Sequence, residues 1–268
     1  MNIKELFDLT GKVAIVTGGS VGLGSQMCHA LAESGANVVI AARKVERCEE
    51  LANELSKLGV RALPARCDVS KFDECDELVG LTVREFGRVD ILVNNAGATW
   101  EADAMDFPMD KWQRIMDINV NGLFRLCAQA GKNMKEHGGG KIINIASIAG
   151  LGGTFPEEQN TVGYNTSKAA VINLTRDLAV KWGRYKIYVN AILPGPFRTH
   201  MTEKHWDRLG GEEYFYASTP LRQVGGADDM KGAVVFLSSA ASDHITGVSI
   251  PVDGGIHAHI GAGGGLLQ

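Results

Sequence analysis

Tyr164 and Lys168 are the residues whose types and spacing point most directly to proton-transfer chemistry. Side chains four residues apart in a helix lie on the same face, so the ammonium is expected beside the phenol. A nearby positive charge favours the phenolate and lowers the pKa of a tyrosine. The pair therefore predicts a general acid or base, with Tyr164 exchanging the proton. Taken alone, a tyrosine four residues before a lysine is more often a surface pair.

A glycine-rich segment at 17–24, Thr-Gly-Gly-Ser-Val-Gly-Leu-Gly, follows the first strongly apolar run. Glycines at such a turn let the backbone approach a pyrophosphate, whose charge is met by free N–H groups and the helix dipole. The spacing G-x-x-x-G-x-G differs from the commoner G-x-G-x-x-G, and glycines at strand-to-helix turns also occur for steric reasons alone. The segment is therefore a candidate dinucleotide-binding loop.

The elements that must position these residues follow from apolar, β-branched runs that alternate with segments of helical period. Strands are predicted at 12–17, 37–42, 61–67, 89–93, 141–146, 186–192 and 247–252. Helices are predicted near 22–34, 45–58, 71–86, 110–136, 162–182 and 227–240. Continuous apolar strands alternating with helices indicate a parallel sheet covered on both faces. We expect a doubly wound α/β fold of about seven strands, one domain over 1–268, with a lid at about 197–226.

Further motifs stand at the ends of these predicted strands. They are Asp68-Val69, Asn94-Asn95-Ala96-Gly97, Asn119 in the following helix, Ser147, and Pro194-Gly195 with Phe197 and Thr199. Together with the 17–24 loop, Tyr164 and Lys168, they make the chain from about Leu9 to Gly255 resemble the short-chain dehydrogenase/reductase family. The stretch 160–201 looks most like the gluconate 5-dehydrogenase and 3-oxoacyl reductase branch of that family. The resemblance implies a Rossmann-like fold.

The resemblance also implies an oxidoreductase that interconverts a ketone and a secondary alcohol by hydride transfer with a nicotinamide. Tyr164 would be the general acid or base, and Ser147 would donate a hydrogen bond to the substrate oxygen as it becomes negative. In the family, Asn119 ties a water to Lys168. Ser147 is preferred over Ser167 because the family places its serine at the end of this strand, although serine is also common in turns.

The structural alternative for Asn119 is a side chain that bonds its own helix backbone. The candidate cofactor-binding residues are Gly18, Ser20, Gly22, Leu23, Gly24, Arg43, Asp68, Val69, Asn95, Ala96, Gly97, Tyr164, Lys168, Pro194, Gly195, Phe197 and Thr199.

The choice of cofactor depends on the end of the second predicted strand. Ala42 stands where relatives that use NAD carry an aspartate, which bonds the adenosine ribose and repels an extra phosphate. Arg43 follows, with a guanidinium able to bind a 2′-phosphate. Val21 stands where many relatives that use NADP place a second arginine, and Arg43 alternatively is a solvated residue at a helix start. NADP(H) is therefore favoured over NAD(H).

The substrate region departs from the family pattern. Between Ser147 and Tyr164 the chain is a few residues longer than in many members, with an inserted FPEEQN stretch whose Glu157 and Glu158 we expect to be solvated. The predicted lid mixes aromatic residues (Phe197, Trp206, Tyr214, Phe215, Tyr216) with basic ones (Arg198, His200, Lys204, His205, Arg208). Aromatic rings would enclose an apolar or ring-shaped substrate and the bases would attract a carboxylate or phosphate, although aromatic residues more often simply pack.

Composition narrows the classes of partner. The 268 residues carry 27 Lys and Arg against 31 Asp and Glu, a net charge of -4 with no basic surface for nucleic acid. Five scattered cysteines favour buried thiols over disulfides or zinc. No apolar stretch approaches a membrane span. We expect a cytoplasmic protein whose partner is a small carbonyl or alcohol substrate, with no nucleic acid and no membrane.

Two further expectations concern metal and assembly. His257 and His259 do not complete a coordination shell, so no metal is predicted. The resemblance implies a homotetramer built through 110–136, 162–182 and the C-terminal segment, whose glycine-rich tail would fray or reach a neighbouring subunit. Two alternative functions remain: an NAD(H)-dependent alcohol or sugar-acid dehydrogenase, and a non-catalytic dinucleotide-binding regulator.

Overall fold

The computed structural model describes residues 1–198, 206 and 208–259. Its strands are β1 (Val13–Thr17), β2 (Asn37–Ala42), β3 (Ala62–Arg66), β4 (Ile91–Asn94), β5 (Gly140–Ile145), β6 (Ile187–Pro194) and β7 (Ser249–Val252). All pair in parallel in the order β3-β2-β1-β4-β5-β6-β7. The predicted seven-stranded, doubly wound α/β fold is confirmed.

The helices are α1 (Ile3–Leu6), α2 (Gly22–Glu33), α3 (Val45–Ser56), α4 (Phe72–Phe86), α5 (Met109–Met116), α6 (Leu123–Glu136), α7 (Val162–Trp182), α8 (Glu212–Ser218) and α9 (Lys231–Ser238). The predicted helix at 110–136 is not one continuous α-helix, because Asp117–Gly122 between α5 and α6 is π-helical. Such a turn carries an extra residue and is frequent at functional sites.

The two faces of the sheet bury separate apolar clusters because alternate residues of a strand point to opposite sides. On β1, Ile15 belongs to the cluster covered by α4, α6 and α7, whereas Ala14 and Val16 belong to the cluster covered by α2, α3 and α9. The continuous burial of β1 is therefore the cause of its uninterrupted apolar sequence.

Two buried amides pair across the central strands β4 and β5, near the carboxyl ends of those strands. Asn94 on β4 is in register with Asn144 on β5, and its Nδ2 donates to Asn144 Oδ1 at 2.9 Å. Asn144 Nδ2 donates to Thr175 Oγ1 on α7 at 2.9 Å, and Asn94 Nδ2 also lies 3.1 Å from Cys127 Sγ on α6. These contacts connect both central strands to the helices that cover them.

The remaining sequence expectations concern membrane, metal and lid. No helix within the described ranges is both long and apolar enough to cross a bilayer. Across those same residues no cluster of His, Cys, Asp and Glu could hold a metal ion, and the five cysteines are buried and free. The predicted lid contains α8 and an isolated bridge between Phe197 and Gly225. Thr199, His200, Lys204 and His205 lie outside the described residues, as does the end of the C-terminal tail.

Candidate active site

Ser147, Tyr164 and Lys168 are brought together where β5 ends and α7 begins. The Ser147 hydroxyl accepts from the N–H of Ala149 at 3.2 Å and also hydrogen-bonds the Tyr164 phenol. Lys168 Nζ lies 5.5 Å from the centre of the Tyr164 ring and donates to the carbonyl of Ile145 at 2.7 Å. The strand end and the first two turns of the helix thus place a hydroxyl, a phenol and an amine around one point.

Burial controls the electrostatics of this cluster. Burial raises the pKa of Tyr164, and the hydrogen bond from Ser147 opposes that rise without cancelling it. Burial also lowers the pKa of Lys168 to about 8. The net direction for Tyr164 is opposite to the sequence expectation, because the cost of removing a phenolate from water exceeds the favourable contacts present here.

Asn119 lies in the π-helical segment, and its side chain does not bond its own helix. Its Oδ1 accepts from the N–H of Ala98 at 2.8 Å, and its Nδ2 donates to the Ala98 carbonyl at 2.9 Å and to Ser167 Oγ at 2.8 Å. Ser167 Oγ in turn donates to the Tyr164 carbonyl at 2.7 Å. Asn119 therefore fastens the loop after β4 to the first turn of α7, and Ser147, not Ser167, is the serine beside the phenol.

The glycine-rich loop is shaped by close backbone approaches. Gly18 has a φ of +61°, and a Cβ on Gly24 would lie 2.1 Å from the Gly18 carbonyl oxygen. Asn95 Nδ2 donates to the carbonyls of Thr17 and Gly18, at 3.0 Å each. The side chain of the predicted cofactor residue Asn95 thus holds the backbone of the glycine-rich loop in place. Val21 at the start of α2 makes no side-chain hydrogen bond to the helix, so no side chain caps the N–H groups of its first turn.

Several other predicted cofactor residues line the same loop and the strand beside it. Ser20 follows the two glycines, and its hydroxyl hydrogen-bonds the thiol of Cys48 on α3. Gly22 has a φ of +57° at the start of α2, next to half-buried Leu23. The N–H of Ala96 donates to Thr17 Oγ1 at 3.2 Å.

The ends of β2 and β3 form the other end of the candidate cofactor site. Ala42 ends β2, and exposed Arg43 follows it. Burial raises the pKa of Asp68, but hydrogen bonds from Ser70 and the Arg43 charge leave it below its ordinary value. The charge of Arg43 thus acts on Asp68, as expected for residues at neighbouring strand ends.

Gly122 is a site residue that sequence reasoning missed. A Cβ there would lie 2.0 Å from the carbonyl oxygen of Val69, so this glycine lets the π-helical segment pass directly under the loop after β3. At Gly97, in contrast, a Cβ would make only ordinary contacts, 3.5 Å from Asn119 Oδ1 and 3.7 Å from Lys168 Nζ. No sequence motif marks Gly122, because its contact joins distant parts of the chain, whereas Gly97 belongs to the predicted Asn-Asn-Ala-Gly motif.

The loop after β6 is packed tightly against its neighbours. Pro194 ends the strand, and a Cβ on Gly195 would lie 2.5 Å from the Cβ of Asp253. The Phe197 ring is buried and lies over Gly225, where a Cβ would come within 2.2 Å of it. Among the predicted cofactor residues, Phe197 is thus one whose ring is used for packing in this structure.

Glu158, in the inserted loop between Ser147 and Tyr164, is exposed, as expected. Its carbonyl accepts from Arg208 Nη2 at 3.3 Å, and its carboxylate hydrogen-bonds Tyr214. Arg208 also pairs with Glu101 at 3.1 Å. Sequence reasoning missed Glu101, and no local signal marks it, because its partner lies 107 residues away. Glu157 is exposed.

Known proteins share both the sequence and this architecture. The family model described as short chain dehydrogenase matches residues 12–210. The chain is 38% identical to 2-dehydro-3-deoxy-D-gluconate 5-dehydrogenase of Escherichia coli (strain K12), over 94% of this chain and 98% of that protein. It is 35% identical to the rhamnolipids biosynthesis 3-oxoacyl-[acyl-carrier-protein] reductase of Pseudomonas aeruginosa, over 94% of this chain and 98% of that protein.

A solved structure is also similar to this chain in both sequence and fold. The gluconate 5-dehydrogenase from Burkholderia cenocepacia J2315, in complex with NADP and tartrate, superposes with a TM-score of 0.91 at 32% identity, covering 97% of this chain and 100% of that one. Both arms of the expected branch are thus represented, and the non-catalytic alternative is not supported. The chain is an NAD(P)-dependent oxidoreductase acting on CH–OH groups, and it belongs to the short-chain dehydrogenase/reductase family.

Proposed function

We propose that the protein interconverts a ketone and a secondary alcohol with NADP(H), using Tyr164 as the general acid or base. The observation that carries this proposal is the cluster of Ser147, Tyr164 and Lys168, in which a half-buried phenol receives a hydrogen bond and lies beside a buried amine. A buried, hydrogen-bonded titratable group at the edge of a parallel sheet is the arrangement expected of proton-transfer chemistry.

Each side chain of the cluster has a distinct task in this proposal. The nicotinamide, when bound, supplies or accepts the hydride. Tyr164 gives its proton to the carbonyl oxygen during reduction and takes it back during oxidation. Ser147 donates a hydrogen bond to the same oxygen as charge develops on it. Lys168, whose pKa is about 8, is mostly protonated at neutral pH and stabilises the phenolate.

Asn119 acts through position. Both hydrogens of its side-chain amide are already donated, to Ala98 and Ser167, so a water tied to Lys168 would donate to an oxygen of Asn119. The side chain itself holds Ala98 and the first turn of α7 in place around the reacting atoms. This rigid support limits the loss of entropy when substrate binds.

The cradle fits a dinucleotide. Gly18 and Gly24 let the glycine-rich loop pack closely against α2, and the uncapped start of α2 offers N–H groups to a pyrophosphate. NADP(H) is proposed over NAD(H) because Ala42 brings no carboxylate to the end of β2 and exposed Arg43 brings a cation. The related Burkholderia structure was determined with NADP.

Arg43→Ala tests the choice of cofactor. We expect NADPH to bind the natural protein more tightly than NADH, by tenfold or more, and the substitution to remove the difference while NADH binding stays unchanged, since one charged hydrogen bond contributes about 1.5–3 kcal/mol. Fluorescence titration measures both constants. Arg47→Ala, an exposed arginine one turn further along α3, is the control. Equal or tighter NADH binding would favour the NAD(H)-dependent alternative.

Assembly and location complete the proposal. We propose one domain over 1–268 with a lid at about 197–226, and a homotetramer formed by the helices at 110–136 and 162–182. Exposed apolar side chains on these helices support the interface: Phe124 is 47% exposed and Val180 is 85% exposed. The proposed location is the cytoplasm, and the proposed partner is a small carbonyl or alcohol substrate.

A further inference from the structure

Arg208 links separate loops at the carboxyl edge of the sheet. Its Nη1 donates to Glu101 Oε2 at 3.1 Å, its Nη2 to Glu101 Oε1 at 3.4 Å, and Nη2 also to the Glu158 carbonyl at 3.3 Å. The two-point contact with Glu101 matches the fork geometry by which a guanidinium holds a carboxylate. We call these three contacts the Arg208 bridge.

The two anchors of the Arg208 bridge lie in loops that adjoin the proposed catalytic centre. Glu101 lies three residues after Ala98, whose main-chain groups are bonded by Asn119. Glu158 lies in the inserted loop, and that loop runs from Ser147 to Tyr164. The bridge therefore joins the loop after β4 to the loop that separates the two proposed catalytic residues.

The segment that carries Arg208 is itself packed. Trp206 is 3% exposed, and its ring stacks on Phe215 with a centroid distance of 4.2 Å. Tyr214 lies edge-on to Phe215 and hydrogen-bonds the Glu158 carboxylate. A second contact thus fastens the same segment to the inserted loop, so the Arg208 bridge is part of a cover with its own aromatic packing.

We propose that Glu101 and Arg208 are specificity-determining positioning residues that limit the size of substrate reaching Tyr164. A carbonyl on a small free molecule fits beneath the bridge. A carbonyl on a chain attached to a large carrier does not, because the chain must pass between the loops that the bridge joins. This inference rests on the proposed function. It also distinguishes the two kinds of substrate that appear in the names of the relatives, a sugar acid and an acyl chain on a carrier protein.

The exposure of the bridge is compatible with exchange of small substrates. The side chains of Arg208 and Glu101 are 44% and 41% exposed. An ion pair in contact with water is weak, because solvent competes for both charges. The bridge therefore opens and closes readily, and its effect is on selection at the entrance rather than on the chemical step.

Two ketones with the same reacting group test the proposal: ethyl acetoacetate, which is small and free, and acetoacetyl-coenzyme A, which carries a large group. For each ligand we would measure the dissociation constant on the full chain loaded with NADP+ and kcat/KM with NADPH. The proteins are the natural chain, Arg208→Ala, Glu101→Ala and the exchange Glu101→Arg with Arg208→Glu. Arg84→Ala, which breaks an exposed ion pair on α4, is the control.

We expect the natural protein to prefer ethyl acetoacetate. Both single substitutions should raise kcat/KM for acetoacetyl-coenzyme A about threefold to fivefold relative to ethyl acetoacetate, because an exposed ion pair holds the two loops together only weakly. Most of the change should lie in KM, the exchange variant should recover part of the preference, and Arg84→Ala should behave as the natural protein.

Unchanged selectivity in both single variants would overturn the proposal, as would equal use of both ketones by the natural protein. If neither ketone is turned over, the proposed function is at fault, and the two dissociation constants still decide on the bridge. Glu101→Gln keeps the shape of the side chain and replaces Glu101→Ala if that variant does not fold. NADPH binding by every variant confirms that the cofactor cradle is intact.

Discussion

At the scale of single residues, burial and hydrogen bonding act in opposite directions on Tyr164. Burial removes water from the phenol and raises its pKa, whereas the Ser147 hydroxyl stabilises the phenolate and lowers it. The oxidative reaction needs the phenolate as base and the reductive reaction needs the phenol as acid. The balance at this single oxygen therefore determines the pH range in which each direction runs.

Ser147→Ala should move the pH dependence of alcohol oxidation to higher pH. Removing the hydrogen bond leaves burial unopposed, so the pKa of Tyr164 rises further and the phenolate forms only at higher pH. We also expect kcat to fall about 10²–10³-fold, the usual effect of losing one donor to a developing oxyanion. Steady-state rates from pH 6 to about pH 11 measure both effects.

Ser147→Thr keeps the hydroxyl and should restore the original pH dependence at reduced rate. A Ser147→Ala profile that differs from the natural one only in height would show that this hydroxyl does not affect the proton on Tyr164.

At the scale of elements, tight contacts between loops and helices shape the cofactor cradle. Gly24→Ala would place a methyl group 2.1 Å from the Gly18 carbonyl and force the loop away from α2. We expect a loss of about 1–3 kcal/mol of stability and at least tenfold weaker NADPH binding. Urea unfolding and fluorescence titration measure the two changes.

Gly232→Ala is the matched control for this prediction. Gly232 also lies within a helix, α9, but a Cβ there meets no atom within 4 Å. The substitution should stabilise the protein by about 0.4–1 kcal/mol and leave NADPH binding unchanged. Equal behaviour of the two variants would mean that the approach of Gly18 to Gly24 does not shape the cradle.

Local patterns were sufficient to predict the strands, most helices and the cluster of Ser147, Tyr164 and Lys168. Apolar runs report burial directly, and the site motifs stand at strand ends, which a parallel sheet brings to one edge. Partners distant in sequence could not be predicted. Asn119 bonds Ser167 across 48 residues, and only the folded chain shows this contact. The direction of the Tyr164 pKa was wrong because spacing does not reveal desolvation.

At the scale of the whole molecule, two long helices each expose a large apolar side chain. Val180 on α7 is 85% exposed, and Phe124 on α6 is 47% exposed. Burying exposed apolar side chains favours association. The proposed homotetramer would bury these residues, so assembly would stabilise α7, which holds Tyr164, and α6, which follows the π-helical segment of Asn119.

Val180→Asp should therefore dissociate the assembly. A charge buried at an interface without a partner costs several kcal/mol, so we expect the assembly's dissociation constant to rise by about a hundredfold or more. Light scattering over a concentration series measures the mass. Leu58→Asp, at a 49%-exposed residue just after α3, should leave the mass unchanged. A natural protein that is monomeric at all concentrations would contradict the homotetramer.

The hydrogen-bonded amides of Asn94 and Asn144 have a consequence for the alignment of β4 and β5 during folding. Shifting β5 by one residue against β4 would turn Asn144 to the opposite face and leave Asn94 and Thr175 without it. Each buried polar group stranded in this way costs about 1–3 kcal/mol. A misaligned sheet is therefore less stable, because it leaves buried polar groups without partners. The alignment of β5 with β4 also fixes the position of Ser147, three residues beyond Asn144. Ser147 is therefore in place before a nucleotide binds, and binding does not change the alignment of the strands.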